Sequence, residues 1–292
     1  MQNVLSETIG RKVNLHRVRF NSNLILSFLF LRVSVIFGMT IYNNLASSTS
    51  VLLIGNFYSE VVLILRCSEF TLHSAFVLAI YQELIDAATS VISELESIHF
   101  KIWSQRRVPL KRIATLQQLH LLLWKTQRDI ERNFERSLVM VLLKYFIDIS
   151  VLPYWAYLNR IYVDNFPMQM WCTTEESGKL LEICIPCWIC TRCDHLQRKF
   201  RSLFHGISVD RRNEQLNTAL LRISAQLGQE TCQLRVGGLV KINNEMLGKF
   251  LFGVVSYIFI CVQFRITYNL KVLEGESEVT VALSLLNQNQ TI

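Results

Sequence analysis

The sequence predicts an all-α protein, a multi-pass transmembrane helical bundle whose long helices extend into the cytosol. Three observations carry this reading. Apolar residues make up 51% of the chain and charged ones 18%, with a mean hydropathy of +0.28, which is more apolar than an ordinary soluble domain. The apolar residues gather in runs close to the ~20 that a helix needs to cross a hydrocarbon core of ~30 Å. Most of the 30 Lys and Arg fall between those runs, so the net charge of +7 points to a membrane surface and not to nucleic acid. The 11 Gly and 4 Pro exclude a collagen-like or low-complexity chain, and the abundance of Leu, Ile, Val and Phe excludes intrinsic disorder.

In chain order, residues 1–22 hold Arg11, Lys12, Arg17 and Arg19 with no apolar stretch leading to a small-residue cleavage site. They read as a cytosolic N-terminal segment, not a secretory signal. The first expected span, 23–42, carries one charge, Arg32, which must find a partner on another helix or snorkel. The second, 51–81, holds Glu60, Arg66 and Glu69 and reads as a tilted or interior-facing helix. The third, 138–158, carries Lys144 and Asp148. The fourth, about 176–193, is short and contains Glu182 and Pro186. The last, 250–268, carries only Arg265, near its far end, and residues 269–292 follow as an extracellular tail.

Orientation follows from Lys and Arg in the connections. Segments 1–22, 82–137 and 194–249 carry four, nine and nine of them, whereas 43–50, 159–179 and 269–292 carry none, two and one. This alternation puts the N-terminus in the cytosol and the C-terminus outside. Within the long connections, 82–100 and 116–136 repeat apolar residues at i, i+3 and i+4, which predicts helices continuing the neighbouring spans. Asn213 is a candidate N-cap with Glu214 in its first turn, and Gly237 with Gly238 breaks the chain before the last span.

The candidate chemistry is sparse. Cys184, Cys187, Cys190 and Cys193 repeat at spacing three, which on a helix gives a stripe and not convergence on one ion. Soft packing residues are the expected role; reversible palmitoylation of Cys190 and Cys193 at the cytosolic boundary and metal binding are the alternatives. Lys144 with Asp148, at i and i+4, and Arg66 with Glu69, at i and i+3, can pair within one helix. These charges either serve helix packing or form the polar wall of a ligand cavity or ion path. No G-x-S-x-G, H-E-x-x-H, G-x-G-x-x-G or Walker loop is present, and the 6 His are scattered. Neither enzymatic activity nor a cofactor or metal is expected. Asn289 begins a glycosylation sequon on the expected outer side.

The last span reads Ser256, Tyr257, five apolar residues, then Gln263 and Phe264. Ser256 and Gln263 lie about two turns apart on one face with Tyr257 beside it. Polar groups in lipid need partners, so this face forms either a polar ring near a pore mouth or a helix–helix hydrogen bond. Together with the lead-in from Gly238 to Asn243, the pattern resembles that of insect gustatory receptors, whose last helix carries Thr-Tyr, five apolar residues and Gln-Phe; Ser256 here keeps the hydroxyl. The resemblance implies seven-span tetrameric ligand-gated cation channels of the plasma membrane. In these the last helix lines a central pore and the cytosolic helix extensions form an anchoring core. The five runs found here would correspond to the family's third to seventh spans, leaving the first two unaccounted for. The implied partners are a small-molecule tastant, membrane lipid, and further copies or other gustatory receptors in a tetramer. Pore or gating roles fall on Ser256, Tyr257, Gln263 and Phe264. A non-conducting accessory subunit or a transporter-like protein is the alternative.

Overall fold

Inside lipid a helix satisfies its own backbone, and helices dominate this chain. A computed structural model gives the fold of residues 15–46, 50–98, 107–162, 166–205, 214–230, 234–236, 238 and 240–289. The helices are α1 (Leu15–Ala46), α2 (Ser50–Ile98), α3 (Arg107–Tyr162), α4 (Phe166–His205), α5 (Glu214–Gln229) and α6 (Asn244–Asn289). Helix α2 has 49 residues and α3 has 56, roughly 73 and 84 Å at 1.5 Å per residue. Both exceed twice the ~30 Å hydrocarbon thickness, so each extends well beyond any bilayer it crosses.

Among the described residues three stretches are long and apolar enough to cross a membrane, Phe57–Glu94, Lys111–Leu158 and Asn244–Asn269, and Ser22–Gly38 is a shorter apolar helix. Residues 176–193 lie in α4 outside these stretches. Helix α4 nevertheless passes Pro186 without a break. A proline inside a helix has no N–H for the carbonyl four residues earlier, here that of Glu182. The buried Cys67 of α2 supplies the missing donor, its Sγ lying 3.2 Å from the Glu182 carbonyl oxygen.

Among the described residues the all-α expectation meets one small exception. β1 (Arg235–Val236) pairs antiparallel with β2 (Val240–Lys241), Arg235 opposite Lys241 and Val236 opposite Val240. Gly238, at φ 65°, makes the turn in a conformation that side chains with a Cβ resist. The expected chain break is therefore a hairpin; Gly237 lies outside the described residues. Asn213 does too, and α5 begins at Glu214. Asn243 caps α6, its Oδ1 accepting from the Met246 N–H at 2.8 Å. Helix α6 runs unbroken to Asn289, so most of the segment expected to follow the last span is helical.

The chain divides into two compact units, one within 1–143 and 181–247, the other within 144–180 and 248–292. The first holds a core in which Tyr81 and Leu84 of α2, Leu116 and Leu123 of α3, Phe200 of α4 and Ile223 of α5 are almost fully buried. These positions recur at helical spacing because each helix turns one stripe inward. In the second unit, Phe146 of α3 meets Phe250 of α6 edge-on at 5.6 Å. A Cβ at Gly253 would come within 3.3 Å of the Phe146 ring, so only glycine permits this approach without displacement. Replacing Cys67 by Ala is expected to cost roughly 1–3 kcal/mol by orphaning the Glu182 carbonyl, whereas Cys67→Ser retains a donor and most of the stability. Thermal unfolding of the detergent-solubilised protein checks both.

Candidate functional site

The buried charges come first, because lipid makes each of them costly unless paired. Arg32 of α1 finds its partner on α4: its Nε donates to Oε1 of Glu182 at 3.0 Å, with side-chain exposures of 5% and 3%. Glu182 also offers its backbone carbonyl to Cys67, so α1, α2 and α4 meet at one residue. Beside it lies an apolar cavity of about 20 Å³, lined by Cys67, Phe70, Val141, Glu182, Cys187 and Ile242 among others, about the room of one water molecule. Arg66 and Glu69 pair at 2.9 Å while half-exposed, and Arg66 also lies 5.8 Å from the centre of the Phe134 ring. Glu60 is half-buried.

In the second unit Lys144 Nζ reaches Asp148 Oδ2 at 2.7 Å along α3, and Lys179 of α4 reaches the same oxygen at 2.6 Å. The helix-internal pair is thus a three-residue cluster across two helices, and Lys179, 6% exposed, is its most buried member. Spacing alone could show the first contact but not the second.

The last helix is different in kind. Half of the apolar window of Phe57–Glu94 is buried, against 6% for Asn244–Asn269. The inward stripe of α6 follows Phe250, Val254, Ile258 and Cys261, of which Val254 is fully buried. At 3.6 residues per turn, Ser256 and Gln263 lie roughly opposite that stripe. Gln263 is exposed and Ser256 half-exposed. Tyr257 and Phe264, 43% and 74% exposed, share one flank. Within one chain, then, the polar motif face points away from the helix's own packing.

The remaining candidates are placed as follows. Cys187, Cys190 and Cys193 are buried and Cys184 is half-buried, with Cys193 Sγ 3.9 Å from the Ser74 carbonyl of α2. An acyl chain on Cys190 or Cys193 would have to displace this packing. Among the described residues no three His, Cys, Asp or Glu side chains gather as they would around a metal ion. Asn289 is the last residue of α6, and the rest of its sequon lies outside the described residues. Sequence reasoning missed Glu182 as a site residue, along with Lys179 and the tie between His120 of α3 and Glu230 beyond α5 at 3.0 Å. A single arginine in an otherwise uncharged apolar run is the one signal in the sequence that points to an acidic partner on another helix.

Removing one member of a buried ion pair strands the other. Glu182→Leu alone is expected to destabilise the protein by roughly 3–5 kcal/mol, and adding Arg32→Met should recover most of that loss. Thermal unfolding and the yield of folded protein report both.

A family model described as 7tm Chemosensory receptor matches residues 5–268. A Drosophila melanogaster protein named "Putative gustatory receptor 98a" is 45% identical over 268 residues, covering 92% of this chain and 67% of that protein. Among solved structures, the insect olfactory receptor OR5 from Machilis hrabei matches with a TM-score of 0.60 at 11% identity, over 85% of this chain and 66% of that one, a likeness of fold. The chain spans about two thirds of the length of each. The motif of the last helix, the helical architecture and these matches agree: the chain belongs to the 7tm chemosensory receptor family.

Proposed function

We propose that the protein is a gustatory receptor for small-molecule tastants and works as a subunit of a ligand-gated cation channel in the plasma membrane of sensory neurons. Its family is one of receptors and not of enzymes, and the named relative at 45% identity is a gustatory one. We assign crossings at about 23–42, 51–81, 138–158, 176–193 and 250–268, with the N-terminus cytosolic and the C-terminus outside, on the strength of the Lys and Arg distribution.

One observation carries the channel reading. The face of α6 bearing Ser256 and Gln263 is turned away from the stripe that packs within its own chain, and polar side chains facing lipid without partners are costly. Arranging the same face of several copies around an axis removes that cost and lines a path for ions. Four copies, alike or mixed with other gustatory receptors, form the proposed assembly, with lipid around it and no cofactor. In the proposed mechanism a tastant binds one helix packing better than another and so shifts the last helix. Gln263 lines the path, Phe264 forms a hydrophobic constriction, and Ser256 and Tyr257 brace the helix against neighbouring copies.

Expression in cells, challenge with a panel of sugars and bitter compounds, and current recording test this. Gln263→Ala is expected to change ion selectivity or half-activating concentration at least several-fold; currents identical to the parent would overturn its role. Native mass in detergent should correspond to four chains of 33.9 kDa, and a strictly monomeric species without currents would favour a non-conducting accessory subunit instead.

A further inference from the structure

Helix α3 carries a basic stripe opposite its packed side. Leu123, Gln127, Phe134, Leu138 and Val141 face inward and are buried. At roughly 100° per residue Lys125, Arg128, Arg132 and Arg136 fall on the other side, and all four are exposed. Among the described residues none of the four enters an ion pair; Arg128 lies 5.4 Å from the centre of the Trp124 ring on its own helix. Asp129, also exposed, is the acid that shares this face, so positive charge stays in excess there. Glu131 and Glu135 sit nearer the packed side and are half-buried, and Glu131 accepts from the Arg235 N–H at 3.2 Å.

Towards the C-terminal end of α3 the same side turns apolar. Val139, Met140 and Leu143 are 40%, 66% and 56% exposed, and within the crossing proposed for 138–158 they meet acyl chains. Arg136 then stands about 3 Å along the axis from the edge of the hydrocarbon, Arg132 about 9 Å and Arg128 about 15 Å. A second copy of this face would repel it, whereas phosphate, the negative group at this level of a bilayer, suits guanidinium both in charge and in bidentate geometry. The direction of the stripe narrows the choice further. It runs along the helix and so away from the membrane, while the headgroup layer of one leaflet is only about 5–7 Å deep. The single phosphate of an ordinary phospholipid meets Arg136 and at most Arg132. A headgroup whose extra phosphates stand out on a sugar ring reaches Arg128 as well, and Lys125, roughly a turn beyond, adds to the attracting field.

We propose that Lys125, Arg128, Arg132 and Arg136 bind the headgroup of a polyphosphorylated anionic phospholipid of the phosphatidylinositol class, with Val139, Met140 and Leu143 lying along its acyl chains. A basic cluster where a helix leaves the bilayer has the charge and position that such lipids require. The site rests on the proposed crossing at 138–158, but neither on the side of the membrane that the stripe faces nor on ion conduction.

Native mass spectrometry of the purified full chain in detergent, titrated with phosphatidylinositol bisphosphate or with phosphatidylserine, counts bound lipid and tests the site. The bisphosphate should bind at least about tenfold more tightly than the serine lipid. Replacing Arg132→Gln together with Arg136→Gln should weaken it roughly tenfold or more. Asp129→Asn should strengthen it about two- to fivefold, a gain that misfolding does not produce. Soluble inositol trisphosphate, for which the apolar rungs do nothing, should compete at least about tenfold less well than the lipid; equal competition would make this a site for free phosphates and overturn the lipid assignment. Equal affinity for the two lipids, or affinity unchanged in both variants, would overturn the site itself. Flotation with vesicles of plain phosphatidylcholine separates the two readings: a chain that stays out of them overturns the crossing and the site with it, and one that enters them yet prefers no headgroup overturns the site alone.

Discussion

The hydrophobic effect needs water, and this constraint orders the rest of the molecule. Lipid tails are as apolar as Leu, so helices inside a bilayer gain little from burying apolar surface against one another. Helices α2 and α3 are more than twice as long as the hydrocarbon core is thick, and the tightest packing of the first unit, around Tyr81, Leu123 and Phe200, is built from α2 through α5. On the proposed topology these residues lie where the helices leave the hydrocarbon and water can drive burial. Within the proposed crossings, polar contacts take over the work of specification: Arg32 with Glu182, Lys144 and Lys179 with Asp148, and the Cys67 thiol on the carbonyl freed by Pro186.

Much of the architecture was legible from one sequence because it depends on periodicity and length. The helical continuation of the spans and the motif face of the last helix follow from the 3.6-residue repeat, and the family follows from Ser256, Tyr257, Gln263 and Phe264 in that spacing. What could not be read depends on which helix lies beside which. Arg32 announced a missing partner, but its identity as Glu182 is a fact of packing between residues 150 apart. Pro186 suggested a poor span, whereas a thiol on α2 lets the helix run on. His120 was one histidine among six scattered ones until the fold set Phe200, Tyr81 and Glu230 around it. The short hairpin at Gly238 escaped notice because two-residue strands leave no alternation to detect.

The two ends of the molecule's chemistry differ in what they require. The buried pairs are complete within one chain, as the distances around Glu182 and Glu230 show. The motif face of α6 is not: its polar residues turn outward, and 94% of its apolar window is unburied by the chain itself, as against half for α2. On the proposed function, stability and signal fall to separate parts of the sequence, so substitutions in the core and in the motif are expected to fail in different assays.

The seat of α6 at Gly253 has a mechanical meaning. At this level the Phe146 ring of α3 lies against a position of α6 that carries no side chain, so a tilt of α6 centred there would pivot on the ring. Gln263 lies ten residues beyond it, roughly 15 Å along the helix, so a tilt of about 10° about the glycine carries the glutamine roughly 2.6 Å sideways while the seat itself hardly moves. A bulky residue at position 253 would shift the hinge and shorten the lever, altering the reach of the far end without touching any polar group.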